Sequence, residues 1–480
     1  MTWIKKSPSQ IIIFVIIAVF SVCLLLPPNT PALTIQEERE LGEKIFQEVK
    51  KRWPLVQEPS ANEYINGIGR RIIQSLGPQP FDYQFYIINS PDVNAFAVPG
   101  GKVFLNSGLI LLVENEDELA GVTSHEIAHV VARHIAKRGE KTQKISLAAL
   151  GAILAGIFLG GQAAGAIATT SVAASETALL KYSREDEEEA DYLGLKFMNQ
   201  AGYARWGMIT MLKKLRRIQG PAYSDPPAYL LTHPAIEERA AELEIQMARF
   251  PQEKESHKLT GNLKRIQTKL IVEEKDIARS VNYFANWVKR SPEEPEAFFG
   301  LGLAQKRIGG LDRAIESFEK ACSLAPQDGE ILRELGIAYL LKANLPEARK
   351  SLESARSLSP QDSLIYFYLG RVYAEQKLAD EAMQALLRAR ELNPNLSEIY
   401  YHLGMAYGMK NMLGPAYQNF GYYYKSLGDP KTALIHFQKA LPYFSAQSSE
   451  RQAIQKEIED LTPKKKELRE PRERERQGPR

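Results

Sequence analysis

Apolar and polar residues follow two different patterns in the first part of this chain. Residues 37–53 and 61–76 place apolar side chains at helical spacing, which predicts two amphipathic helices. Residues 81–88 (FDYQFYII) alternate instead and are rich in aromatic rings, which predicts a strand. Residues 94–106 (NAFAVPGGKVFLN) predict a β-hairpin that turns at its central Pro-Gly-Gly. These elements predict a mixed α+β domain that is mostly helical.

Two further helices are predicted after the hairpin. Asn115 is expected to cap the first, with Glu118 placed as in a capping box, and this helix should run to about Arg138. The second helix, over 183–199, is strongly acidic. Residues 145–174 between them are almost uncharged and rich in Ala and Gly. Because a Gly-Gly-Gln sequence interrupts this run, we favour a packed or surface-lying hairpin with peripheral membrane contact over a transmembrane span.

The second half of the chain repeats itself with a step of 34 residues. The residues that keep this step are Pro292, Pro326, Pro360, Pro394, Gly302, Gly336, Gly370, Gly404, Ala314, Ala348, Ala382 and Ala416. A period of this length with these residue types resembles the tetratricopeptide repeat, in which helix pairs stack into an α-solenoid. Residues 258–291 look like a degenerate first repeat, and residues 430–444 are expected to cap the array.

The two ends of the chain differ in composition from the rest. Two lysines precede an uncharged apolar run over 11–26, so residues 1–32 are interpreted as a signal peptide, with an uncleaved membrane anchor as the alternative. Residues 446–480 are predicted to form a charged, disordered tail. Between these ends we expect two domains, a mostly helical α+β domain over 33–250 and a repeat domain over 251–445.

Net charge and cysteine content narrow the functional classes. The formal net charge of the 480 residues is +3, and no basic helix or aromatic-interleaved patch occurs in the sequence. No nucleic-acid partner is therefore predicted. Cys322 is the one cysteine beyond the predicted signal, so an exported mature chain has no internal disulfide.

Residues 125–129 (HEIAH) carry the most specific chemistry in the sequence. Two histidines four positions apart lie on one face of a helix, so both imidazoles can bind one metal ion. Glu126 beside them can deprotonate a water that the metal activates. A catalytic zinc needs a third protein ligand. His134 fails as that ligand because a continuous helix would turn it away from His125, and Ile135 stands where the long metzincin pattern needs a histidine.

The acidic helix over 183–199 offers the third ligand. Glu187 and Asp191 share one face of it, at the spacing where gluzincins place a ligand carboxylate and an aspartate that orients a ligand histidine. Glu188 and Glu189 compete with Glu187 for the ligand position. A solvated acidic face without any metal is the simpler alternative.

Together these motifs resemble the zinc metallopeptidase family of HtpX, the CAAX prenyl endopeptidase and the BepA-like periplasmic proteases. The shared motifs are H-E-x-x-H at 125–129, Y-S-R-x-x-E-x-E-A-D-x-x-G at 182–194, N-A-F-A-x-P-G-G at 94–101 and H-P-x-x-x-x-R at 233–239. The order of signal peptide, protease and repeats is similar to that of the BepA-like members. The chain departs from them in lacking a cysteine pair in its C-terminal region.

The resemblance implies one Zn²⁺ per chain, and it selects Glu187 over its neighbours as the third ligand. The implied metal ligands are His125, His129 and Glu187, with Asp191 behind a ligand histidine and Glu126 as the general base. The implied substrate-binding strand consists of Asn94, Ala95, Phe96 and Ala97. His233 is expected either to occupy the open position of the zinc until it moves or to act in the transition state, where His233 or Arg239 would stabilise the oxyanion. A loop or helix-capping histidine is the simpler alternative for His233.

The sequence therefore predicts that residues 33–250 form the peptidase domain of a zinc endopeptidase of the cell envelope. Its expected location is the periplasm, where an uncleaved segment over 1–32 would anchor it to the inner membrane. Its repeats are expected to recruit unfolded or stalled envelope proteins, and the resemblance implies the outer-membrane assembly machinery as a partner. Two rival functions stay open: a non-catalytic chaperone or scaffold, and a membrane-integrated prenyl-type endopeptidase.

Overall fold

The computed structural model describes residues 33–141, 182–218, 228–248, 263–274 and 276–462. The predicted signal or anchor over 1–32, the apolar segment over 145–174 and the tail beyond residue 462 lie outside the described residues. The chain divides into two compact units, one that ends at Lys275 and one that begins at Asp276. No helix within the described ranges is long and apolar enough to cross a membrane.

The first unit is a mostly helical α+β domain with one small sheet. Its described elements are α1 (Ile35–Arg52), α2 (Pro59–Ser75), β1 (Gln84–Ile88), β2 (Ala95–Val98), β3 (Lys102–Asn106), α3 (Ser107–Leu112), α4 (Glu116–Val131), α5 (His134–Lys141), α6 (Arg184–Ala201), α7 (Trp206–Arg217), α8 (Ala228–Thr232), α9 (Ile236–Ala248) and α10 (Leu263–Val272). Helix α10, which lies in the stretch that the sequence suggested as a first repeat, packs against α2 and α3 of this unit.

Among the described residues of this unit, three strands lie in the order β1-β3-β2, so β2 is an edge strand of the described sheet. β1 runs parallel to β3, whereas β2 and β3 form the predicted antiparallel hairpin. Gly100 and Gly101 turn this hairpin at φ values of 82° and 92°, which residues with a Cβ rarely adopt. Alternate side chains of β2 enter different clusters: Phe96 packs with α1, and Ala95 packs with the main core of the unit.

Helix α4 is buried along most of its length. Asn115 caps it as expected, because its side chain accepts a hydrogen bond of 3.0 Å from the Glu118 backbone N–H. The predicted continuation to Arg138 is wrong, since α4 ends at Val131 and Arg133 takes a left-handed conformation with φ of 57°. The Arg133 side chain reaches back to α1, where its Nε donates to Glu38 Oε1 at 2.6 Å. A new helix, α5, then begins at His134.

Helix α6 matches the predicted acidic helix and packs closely against α4. Ser183 caps its start in a capping box with Asp186, and Gly202 ends it in a left-handed conformation. Gly194 lies at the contact between the helices, where an added Cβ would come within 3.4 Å of the His125 backbone nitrogen. This close approach brings the acidic face of α6 to the histidines of α4.

The second unit is the predicted α-solenoid. Its helices are α11 (Ile277–Arg290), α12 (Pro295–Arg307), α13 (Leu311–Leu324), α14 (Gly329–Leu341), α15 (Leu345–Leu358), α16 (Ser363–Glu375), α17 (Ala379–Leu392), α18 (Ser397–Met409), α19 (Leu413–Ser426), α20 (Pro430–Ala440) and α21 (Ser449–Leu461). The repeated small residues allow close packing within each pair: a Cβ on Gly336 would lie 2.6 Å from Leu352, and one on Gly370 would lie 2.5 Å from Leu386.

The turns within four successive pairs share one left-handed residue. Gly309, Ala343, Lys377 and Asn411 have φ values of 79°, 59°, 62° and 57°, and they follow the same 34-residue step. The sequence pattern did not reveal this position, because only the first of the four is a glycine.

The predicted disordered tail over 446–480 is wrong for its first part, which forms helix α21. Ser448 caps this helix, and apolar side chains share one of its faces although most of its residues are charged or polar. Ile454 is fully buried, and Ile458 and Leu461 pack beside it in a cluster with Phe437 of α20. Burial of this stripe outweighs the high charge of the segment.

Candidate metal centre

Helix α4 presents His125 and His129 on one face, as their four-residue spacing predicts. Both imidazoles are 2% exposed, so the helix delivers them into the interior of the unit. Their Nε2 atoms lie 3.0 Å apart. Two ring nitrogens at this distance, inside a protein, form half of a metal-binding cluster.

Glu187 of α6 and His233, just beyond α8, complete the cluster. Glu187 Oε2 lies 3.4 Å from His125 Nε2, and Glu187 Oε1 lies 3.5 Å from His129 Nε2. His233 Nδ1 lies 3.3 Å from His125 Nε2 and 2.9 Å from Glu187 Oε1. Glu187 and His233 are completely buried. The four side chains can therefore place one ligand atom each around a common point.

These distances fit a tetrahedral metal ion. Ligand atoms that sit 2.0–2.1 Å from such an ion are about 3.4 Å from each other. The separations given above run from 2.9 Å to 3.5 Å, and all four ligand atoms lie within 4.8 Å of one another. Three imidazole nitrogens and one carboxylate suit a transition metal better than Mg²⁺ or Ca²⁺, which prefer oxygen ligands.

Asp191 and Arg239 lie behind the ligands. Asp191 Oδ1 is 2.9 Å from His125 Nδ1, which is the orienting contact that the family resemblance implied. Arg239 donates to both oxygens of Asp191, at 2.7 Å from Nε and 2.8 Å from Nη2. Its Nη1 lies 2.5 Å from Glu187 Oε2. Arg239 thus bridges two buried carboxylates, a position that differs from the oxyanion-stabilising role expected from the sequence.

The charges of this layer set the protonation states of the ligands. Although burial works to raise the pKa of Glu187, Arg239 and His233 hold it well below its usual range. Burial and the neighbouring His125 lower the pKa of His129, which keeps it a neutral imidazole. Burial opposes charging of Arg239, yet Asp191 and Glu187 outweigh it and raise the pKa of the guanidinium.

Glu126 lies next to the cluster and is completely buried. His233 Nε2 is 3.5 Å from its Oε1. Burial is the main cause that raises the pKa of Glu126. A buried carboxylate with a raised pKa is suited to accept and return a proton.

The segment that carries His233 also touches the edge strand region. The Tyr229 backbone N–H donates to Val93 O at 3.3 Å, and the Tyr182 N–H donates to Thr232 O at the same distance. Tyr229 stacks on the His233 ring with centroids 4.3 Å apart. The predicted substrate strand is buried while this segment is in place: at most 1% of each of its residues is exposed. These residues are Asn94, Ala95, Phe96 and Ala97.

His134 is the residue that the sequence reasoning missed. It is not one of the four clustered side chains, but its Nδ1 lies 2.8 Å from His129 Nδ1. Its Nε2 lies 3.1 Å from Glu189 Oε2. His134 faces the site because α4 ends before it, so the argument from a continuous helix does not hold. No Gly or Pro marks the break, and the sequence offered no signal for it.

Comparisons with known proteins place these residues in a recognised domain. Residues 59–246 match Peptidase family M48, and residues 272–329, 333–397 and 414–441 match tetratricopeptide repeats. The metal cluster, Glu126, Asp191 and Arg239 all fall within the peptidase match. The resemblance inferred from the motifs is confirmed, as is the order of a mostly helical α+β domain followed by an α-solenoid.

The chain is also similar to curated relatives over part of its length. The beta-barrel assembly-enhancing protease of Escherichia coli strain K12 is 34% identical over 214 residues, which are 44% of this chain and 44% of that protein. Mitochondrial metalloendopeptidase OMA1 of Schizosaccharomyces pombe is 30% identical over 215 residues, which are 44% of this chain and 61% of that protein. The match therefore spans about half the length of these relatives. The crystal structure of MamA aligns with 35% of this chain and 97% of its own, at 23% identity and a TM-score of 0.30.

Proposed function

We propose that this chain, whose residues 59–246 form a peptidase family M48 domain, is a zinc-dependent endopeptidase. The observation that carries the proposal is the buried cluster of His125, His129 and Glu187 with Glu126 beside it. Three ligands of this kind and an adjacent carboxylate are the minimal set for metal-assisted peptide hydrolysis. The metal-binding roles of these three residues, and the identity of the ion as zinc, are parts of the same proposal.

The reaction follows from where the side chains lie. Zinc in this site would polarise the scissile carbonyl and acidify the attacking water. Glu126 takes the proton of that water and later gives it to the leaving amine, a role that its raised pKa favours. Asp191 holds the His125 ring through its 2.9 Å contact, and Arg239 fixes Asp191 in turn.

The edge strand β2 is the proposed binding element for the substrate. A strand at the edge of a sheet can pair its backbone with an extended peptide. β2 contacts helix α4, so a peptide added along Ala95–Val98 would pass beside Glu126. This geometry supports cleavage of an internal bond in an extended segment.

We assign His233 the role of a removable blocking ligand. Its Nδ1 takes the fourth position of the cluster, the place that a water or substrate needs. The backbone contact between Tyr229 and Val93 holds the same segment against the start of the edge-strand region. Movement of this one segment would therefore expose both the metal and the strand.

The repeats give the proposed protease its choice of substrate. Tetratricopeptide arrays bind segments of other proteins on their surfaces. Because one relative is named a beta-barrel assembly-enhancing protease, we propose unfolded or stalled envelope proteins as substrates and the outer-membrane assembly machinery as a partner. This assignment includes a periplasmic location for the chain.

Replacement of Glu126 by glutamine tests the proposal. The purified Glu126→Gln chain should keep one zinc per chain but cleave casein and an unfolded β-barrel protein 10²–10⁴-fold more slowly, which is the usual share of a general base. Glu188→Gln is the matched control, since Glu188 is an exposed glutamate on α6. Unchanged turnover in the Glu126→Gln chain would overturn the protease proposal and favour the scaffold function.

A further inference from the structure

The break between α4 and α5 places a further histidine, His134, behind the metal cluster. Arg133 reverses the backbone at φ of 57°, and His134 starts the next helix with its side chain fully buried. His134 Nδ1 meets His129 Nδ1 at 2.8 Å, on the side of His129 that faces away from the cluster. His129 Nε2 is the atom that lies 3.0 Å from His125 Nε2.

This geometry fixes the position of each proton. Two imidazole nitrogens at 2.8 Å share one hydrogen, so one of them donates and the other accepts. His129 must keep the lone pair of Nε2 for a metal, so its Nδ1 carries the hydrogen and donates it. His134 Nδ1 then accepts, and the His134 hydrogen lies on Nε2, where it donates to Glu189 Oε2 at 3.1 Å.

The two ligand histidines of α4 therefore have different supports. His125 is held by the buried carboxylate of Asp191, the usual partner of a metal-binding histidine. His129 is held by the neutral imidazole of His134, and His134 in turn contacts the carboxylate of Glu189. The Glu189 side chain is 49% exposed, so this line of hydrogen bonds runs from the cluster to the surface.

We propose that His134 is a positioning residue that fixes the tautomer and the ring orientation of His129, with Glu189 fixing the tautomer of His134 in turn. This inference rests on the proposed function, since it gives His129 a metal to bind. Partners of this kind usually change metal affinity 10–100-fold when they are removed.

Zinc affinity of full-length variants tests the role of the His134 nitrogen. His134→Phe keeps a ring but removes the acceptor, so competition with a chelating dye should show 10–100-fold weaker zinc binding. His134→Gln restores an acceptor oxygen and should recover most of this loss. Glu189→Gln should weaken binding by less than His134→Phe, and the exposed neighbour Glu188→Gln should bind zinc as the unchanged chain does. Circular dichroism checks that each variant is folded.

The pattern of affinities separates this inference from the proposed function. If the unchanged chain binds no zinc, the proposed function fails. If it binds zinc and His134→Phe binds equally well, only the positioning role is overturned. Equal losses in His134→Phe and His134→Gln would likewise overturn it, because they would show that His134 acts by packing.

NMR chemical shifts of the histidine ring nitrogens can be measured in the zinc-loaded, unchanged chain. This readout does not depend on how the variants fold. The inference expects hydrogen on Nδ1 of His129 and on Nε2 of His134. Hydrogen on Nδ1 of His134 would overturn it.

Discussion

Removal of the buried guanidinium should destabilise the metal-free protein far more than the zinc-loaded one. Arg239 is 4% exposed and contacts Asp191 at 2.7 Å and Glu187 at 2.5 Å. Both carboxylates are also buried. In an Arg239→Met chain, which keeps the length of the side chain, these two negative charges lose the guanidinium that they share. The cation that stays beside them is His125: burial opposes its protonation, but Asp191 and Glu187 raise its pKa to about 9.

The expected loss of folding free energy follows from the cost of removing one partner of a buried ion pair. Breaking a buried ion pair by removing one partner costs about 3–5 kcal/mol. For a domain of this size, each kcal/mol lowers the Tm by about 2–4 °C, so a fall of roughly 6–20 °C is expected. Zinc supplies a new positive charge to Glu187, so with zinc the loss should shrink to the ~1–3 kcal/mol of unmade hydrogen bonds at Asp191.

Thermal unfolding with and without zinc measures both losses. Arg184→Met serves as the control, because Arg184 forms an exposed pair with Glu238 at 3.5 Å and such pairs contribute about 0.2–1 kcal/mol. A metal-free Arg239→Met chain as stable as the unchanged one, together with a large fall in kcat, would refute this reasoning. That result would return Arg239 to the oxyanion role expected from the sequence.

Three further outcomes are expected. His233→Ala should raise casein cleavage and weaken zinc binding, since it removes the blocking ligand, whereas lower cleavage would indicate transition-state stabilisation by this histidine. Lys377→Gly should raise the free energy of unfolding by roughly 0.5–1 kcal/mol because it relieves a left-handed residue, and Gly309→Ala at the equivalent turn should lower it; equal effects in urea titrations would contradict this. Burial works to raise the pKa of Glu334, but Lys306 and Arg333 lower it from 4.5 to about 2. The ionised Glu334 therefore stabilises the fold fully above pH 4.5, and this contribution is lost as the pH falls towards 2. Glu334→Gln should therefore flatten the acid side of the stability profile, and an unchanged profile would count against the paired charge.

The central cluster was predictable from the sequence because its histidine pair depends on the spacing of residues within one helix. His125 and His129 need only one regular helix. The acidic helix offered Glu187 together with Glu188 and Glu189, and the family resemblance selected Glu187 among them. His134 was missed, since α4 breaks at Arg133, whose side chain contacts Glu38, 95 residues away in sequence. Arg239 was assigned to the oxyanion because a motif names a residue but not the partner that its side chain meets.

The periodic half was predictable for a similar reason. Its small residues recur because each helix pair needs the same close contact, as at Gly336 and Gly370. Helix α21 was hidden, because three apolar side chains in a charged segment form a stripe only when a neighbouring helix covers them.

The blocking role proposed for His233 has a consequence for how long the protein keeps its metal. Four protein ligands form a closed site, the kind that zinc uses for structural purposes, and such a site leaves no open coordination position for a chelator. The resting chain would then store its ion safely between encounters with substrate. Engagement of a substrate would expose the ion to exchange, so a chelator should inactivate the working enzyme faster than the idle one.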